Sequence, residues 1–142
     1  MLKDKTALVT GSTRGIGEAT ARALAAQGCN VMMNGFGDPD EIEAKRAQIE
    51  ADSGATVRFH GADLSDEKQL DDLVDSAEAA FGGVDILVNN AVIRYFHTVD
   101  DFDRDNWRHA LSVNVTAPFF LMQRVLPGMR KRGWGRLVNM AS

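Results

Sequence analysis

The chain has 142 residues, 44% of them hydrophobic and 25% charged, a size and balance that support one domain with its own core and exclude both disorder and a membrane span. Its net charge of −4 is built from both signs scattered along the sequence, which argues against nucleic acid or a membrane surface as partner. Cys29 is the only cysteine, so no internal disulfide can form; with Lys3, Asp4 and Lys5 leading straight into the first apolar run in place of a signal peptide, a reducing, cytoplasmic setting is expected.

Thr6 to Thr10 is a short apolar run that stops at a glycine, and Gly15 to Gln27 carries Ile16, Ala19, Ala23 and Leu24 at helical spacing before Gly28. This reads as strand, turn, helix. Val31 to Met33 gives a second strand. Asp38 then caps a helix with Pro39 in its first position and Asp40 and Glu41 in its first turn, ending at Gly54. Thr56 to His60 is the third strand. Ser65 is the expected cap of the next helix, whose stripe of Leu70, Leu73, Val74, Ala77 and Phe81 runs out at Gly82 and Gly83. Val84 to Val88 is the fourth strand. The longest helix is expected from about Asp103 to Arg132, with Trp107, Leu111, Phe119, Met122, Val125, Leu126 and Met129 buried, and with Pro118 and Pro127 each distorting it. Gly133 and Gly135 bracket a turn into a fifth strand, Arg136 to Met140. The alternation predicts an α/β fold with a doubly wound parallel sheet, strand order 3-2-1-4-5, and helices on both faces.

Gly11, Gly15 and Gly17 stand where the first strand gives way to the first helix. Without side chains there, backbone amides at the positive end of the helix can face a diphosphate. The spacing is Gly-x-x-x-Gly-x-Gly, and the whole string from Thr10 reads TGSTRGIG. It resembles the cofactor loop of the short-chain dehydrogenase/reductase family. Asp63-Leu64 after the third strand and Asn89-Asn90-Ala91 after the fourth resemble further motifs of that family, with Val92 where the family has glycine. Valine does not readily take a positive φ, so a reshaped loop is expected beside the nicotinamide.

The resemblance implies a Rossmann-like fold and a dinucleotide held by Gly11, Thr13, Arg14, Gly15, Ile16, Gly17, Phe36, Asp63, Leu64, Asn90 and Ala91. It implies catalytic roles for Asn114, through a helix distortion that frees a main-chain carbonyl, and for Ser142. It also implies a tyrosine with a lysine four residues later as the acid/base pair. Tyr95 is the only tyrosine and Val99 stands four positions on, so these residues by themselves are expected not to catalyse. Within the family, Asn34-Gly-Phe-Gly-Asp38 and the segment from Pro127 to Arg136 resemble bacterial enzymes acting on a 3-hydroxy acid, although Arg94 replaces their glutamine. Arg94 is then either a bidentate clamp for a substrate carboxylate or a solvated loop cation.

Two signals oppose each other over the cofactor. Arg14 suits the 2′-phosphate of NADP, and the second strand lacks the acidic residue expected for NAD; the Asn-Gly-Phe-Gly run points to NAD, which is the preferred reading, with NADP the alternative. The functional expectation is an oxidoreductase for a small-molecule alcohol or ketone, assembled as a homo-oligomer. A non-catalytic dinucleotide-binding module and a flavodoxin-like domain are the competing readings.

Overall fold

The computed structural model describes residues 2–141, so the expectation for Ser142 lies outside the described residues. Four buried residues, Thr6–Val9, form β1, and the chain then turns through the glycine loop into α1, Gly15–Ala26. β2 (Asn30–Met33), α2 (Pro39–Ser53), β3 (Val57–Phe59), α3 (Glu67–Phe81) and β4 (Ile86–Asn89) follow. The last part comprises α4 (Arg104–Leu111), a π-helical turn (Ser112–Thr116), α5 (Ala117–Arg132) and β5 (Arg136–Asn139). All strand pairs are parallel, in the expected order β3-β2-β1-β4-β5.

Side-chain alternation along the strands produces two cores. Leu8, Met32 and Leu87 pack on Leu73 and Val74 of α3 and Leu121 and Val125 of α5. Their neighbours Ala7, Val9, Val31, Met33, Ile86 and Val88 pack the other way, on Ala21 and Ala25 of α1 and Ile49 of α2. β5 is solvent-exposed along its length.

Two expectations fail for physical reasons. α3 is capped by Asp66, whose carboxylate accepts from the amides of Lys68 and Gln69; the neighbouring Ser65 turns back to donate to Asp63. The expected single long helix is interrupted by the π-helical turn, and its buried stripe is narrower than predicted. Ala117, Leu121, Val125 and Met129, four residues apart, are buried, whereas Trp107, Leu111 and Phe119 are exposed. Pro118 sits in the first turn of α5, directly after the π-helical turn, and α5 continues through Pro127 to Arg132.

Candidate functional site

β1 lies between β2 and β4, so the chain leaves its carboxyl end in one direction and β4 in the other. A crevice opens there because the two loops diverge. It holds a cavity of about 720 Å³ lined by the glycine loop, the segment after β2, Asp63 and Leu64, the segment from Asn90 to Ile93, and His109 and Val113.

The glycine loop is fixed on three sides. Gly11 and Gly15 have φ of 61° and 58°, values that side chains disfavour. A Cβ on Gly11 would stand 2.9 Å from the Ala91 Cα, and one on Gly17 would collide with the Gly11 carbonyl. The Asn90 side chain donates to the carbonyls of Thr10 and Gly11, both at 3.1 Å, while the Thr10 hydroxyl accepts from the amides of Asn90 and Ala91. On the far side, the Thr13 hydroxyl donates to the Phe36 carbonyl at 2.9 Å and Lys45 donates to the Thr13 carbonyl at 2.8 Å. Gly35 is needed because a Cβ there would lie 2.7 Å from the Thr13 hydroxyl.

Helices α2, α3 and α4 each open on an aspartate, Asp38, Asp66 or Asp103, whose side chain accepts two first-turn amides. α1 opens on Arg14 with no side-chain cap. Its first-turn donors are thus left for something else, at the positive end of the helix dipole. Glu18, the acidic residue of that turn, is held by Arg22 at 3.0 Å and Lys45 at 3.3 Å. Burial raises its pKa, but these two cations outweigh that and keep it below the ordinary range.

Across the cavity, one oxygen of Asp63 accepts from the Ser65 hydroxyl at 2.7 Å and the Ser65 amide at 2.9 Å. These two bonds hold its carboxyl below the usual carboxylate range. The second oxygen takes no hydrogen bond among the described residues. Ile16 and Phe36, both exposed, edge the mouth of the cavity, and Leu64 is a buried part of its wall.

Asn114 lies in the π-helical turn. Its amide grips the backbone of Ile93 in both directions, accepting from the amide at 2.9 Å and donating to the carbonyl at 2.8 Å. Pro118 stands four residues after Asn114 and five after Val113, and has no amide to give either carbonyl. One carbonyl of the turn is left without a helical partner by either the α or the π pattern.

Residues 5–142 match the family model described as short chain dehydrogenase. The chain belongs to the short-chain dehydrogenase family. It is 48% identical to the D-beta-hydroxybutyrate dehydrogenase of Cupriavidus necator over the whole chain, and 42% identical to that of Rhizobium meliloti over 97% of it. It spans 54% of the length of each relative. Among solved structures it superposes with a TM-score of 0.93 on the L-sorbose reductase of Gluconobacter frateurii complexed with NADPH and L-sorbose. That match is 31% identical and covers 99% of this chain and 53% of that one. It superposes with a TM-score of 0.90 on a 3-oxoacyl (acyl-carrier-protein) reductase of Agrobacterium tumefaciens with NADP bound, 39% identical and covering 99% of this chain and 54% of that one.

In this member of the family, the described residues read from the sequence converge with two exceptions. Gly11, Thr13, Arg14, Gly15, Ile16, Phe36, Asp63, Leu64, Asn90 and Ala91 all line one cavity, and Gly17 packs directly behind Gly11. Arg94 is exposed and does not line it, and Asn114 acts on it through Ile93. Val92 keeps a negative φ, since Asp4 is the only non-glycine residue with positive φ among those described. The sequence reading missed His109 and Val113, which line the cavity from successive turns of helix. The signal was their four-residue spacing, which places both on one face.

Proposed function

We propose that this chain forms the dinucleotide-binding part of an oxidoreductase that moves hydride between NAD(P) and a secondary alcohol or ketone, with a 3-hydroxy acid as the substrate class. The observation that carries the reading is the start of α1, where three glycines leave room and no side chain claims the first-turn amides. A diphosphate fits such a cradle because backbone donors and the helix dipole both favour its charge. The dinucleotide then lies across the switch point, its adenine toward Asp63 and its nicotinamide toward Asn90, Ala91 and Asn114. A bound nicotinamide supplies the hydride acceptor or donor. Asn114 orients the loop through Ile93, and the carbonyl freed near Pro118 is placed to hold a water in a proton relay. Ser142 is assigned to the substrate oxygen by its place in the family motif alone. These residues contain no tyrosine followed four positions later by lysine, so the 142 residues by themselves bind without turnover. The hydroxy-acid reading rests on the likeness to the two hydroxybutyrate dehydrogenases.

The expected preference for NAD has no support in the geometry. Asp38 is engaged by the amides of Asp40 and Glu41, and the Asn34 side chain by the carbonyls of His60 and Ala62. Asp38 thus commits one oxygen to capping α2, and Asn34 commits both amide hydrogens to those carbonyls. Arg14 is exposed at the mouth of the cavity, so the site is read as admitting either nucleotide, with Arg14 selecting NADP. Arg14→Ser is expected to weaken NADP binding about tenfold, the scale of a lost charge-assisted hydrogen bond, and to leave NAD binding within about twofold. Titration of both nucleotides into both proteins measures this. Equal losses for the two nucleotides would remove Arg14 from selection, and no binding of either to the unaltered protein would remove the function. Trp107, Leu111, Val115 and Phe119, each four residues after the last, are all exposed; such a stripe supports assembly with a second copy.

A further inference from the structure

Tyr95 and His109 form a pair that the sequence reading left unused. The Tyr95 hydroxyl lies 2.7 Å from Nδ1 of His109. Tyr95 is itself held by an edge contact with Phe102, which leans in turn on Trp107. His109 is half-buried and lines the same cavity as Asp63 and Leu64, one helical turn before Val113. Both His109 and Asp63 line this one cavity.

The tautomer is coupled to this contact: with the Tyr95 phenol donating to Nδ1, the imidazole carries its own proton on Nε2. Nε2 makes no hydrogen bond with any described residue, and among the groups lining the same cavity Asp63 offers a carboxylate oxygen that is likewise unbonded among the described residues. A donor and an acceptor lining one cavity suit the edge of an adenine, which offers an amino donor next to a ring-nitrogen acceptor.

We propose that His109, held in place by Tyr95, is a base-reading residue that donates from Nε2 to the adenine of the bound dinucleotide alongside Asp63. The inference rests on the proposed function and adds to it a contact that fixes the adenylate half. The adenine is thereby read by α4 as well as by the loop after β3.

The test compares His109→Ala, His109→Gln and Tyr95→Phe with the unaltered protein, titrating NADH and ADP-ribose into each. Alanine is a better helix former than histidine, so α4 survives the change. His109→Ala is expected to weaken both ligands by the same factor, about fivefold, as for one neutral hydrogen bond. His109→Gln, which keeps a side-chain N–H, is expected to recover most of the loss, and Tyr95→Phe to fall between. Unchanged binding in His109→Ala would overturn the inference, as would a glutamine variant no better than alanine or a loss seen with NADH alone. Failure of the unaltered protein to bind NADH is a different result, and it would overturn the proposed function beneath the inference.

Discussion

Asp63 illustrates how a loop residue is prepared for a polar partner. Its first oxygen accepts from the hydroxyl and amide of Ser65, which holds the carboxyl below the usual range and leaves the second oxygen unbonded among the described residues. Because the folded-state pKa is depressed, the stabilisation is complete above the ordinary aspartate range and is lost as pH falls through the lowered value. Ser65→Ala removes the hydroxyl bond and keeps the amide bond, so the Asp63 pKa should rise toward the ordinary range, and acid unfolding should begin at a higher pH. Carbon-13 titration of the Asp63 carboxyl measures the shift; an unchanged value would show that Ser65 is not what holds it down. At this scale the sequence was readable where one residue type alone suits the backbone, as at Gly11 and Gly15. It was unreadable where two adjacent residues could do the same task. Ser65 and Asp66 are both competent caps, and only the turn geometry assigns the helix to Asp66 and the serine to Asp63. His109 carried no local mark either, since a histidine on a helix surface gains meaning only when Tyr95 closes on it.

α5 is held to the sheet by a polar clamp whose position was not evident from periodicity. Near the end of α5, Arg132 donates to Asp85 at 2.9 Å and to the Val84 carbonyl at 2.7 Å, while the other Asp85 oxygen accepts from the amide of Thr6 at 3.0 Å. Gly83 leaves space for the guanidinium, because a Cβ there would sit 2.5 Å from it. The clamp ties α5 to the entrance of β4 and the start of β1, the two strands whose exits form the crevice. Arg132→Ala should cost about 2 kcal/mol at neutral pH, the range for charge-assisted bonds around a mostly buried carboxylate. In an Asp85→Asn background the same change should cost about half as much. Urea unfolding of the four proteins gives the coupling, and strictly additive losses would contradict the clamp. Element order and type were legible because the strands, α1 and α3 have an apolar rhythm, and α2 has its aspartate cap, first-turn proline and closing glycine. The last helical stretch was not, since the π-helical turn at Ser112–Thr116 interrupts it and the buried stripe of α5 is one residue in four. A pattern read as one continuous helix therefore buried Trp107, Leu111 and Phe119, which are exposed.

At the scale of the molecule, the strand order creates the site. Placing β1 between β2 and β4 sends neighbouring loops apart, and the cavity between them gathers residues from Gly11 to Val113. That order followed from right-handed crossovers and was legible before any contact was known. The central claim is that bare amides at the start of α1 bind the diphosphate of a nicotinamide dinucleotide. Amide chemical shifts recorded during an NADH titration test it most directly. The largest changes are expected at Gly15, Ile16 and Gly17, with smaller ones at Asp63 and His109, all saturating at one common dissociation constant. Saturable binding that leaves the Gly15 to Gly17 amides unmoved would place the nucleotide elsewhere and contradict the account.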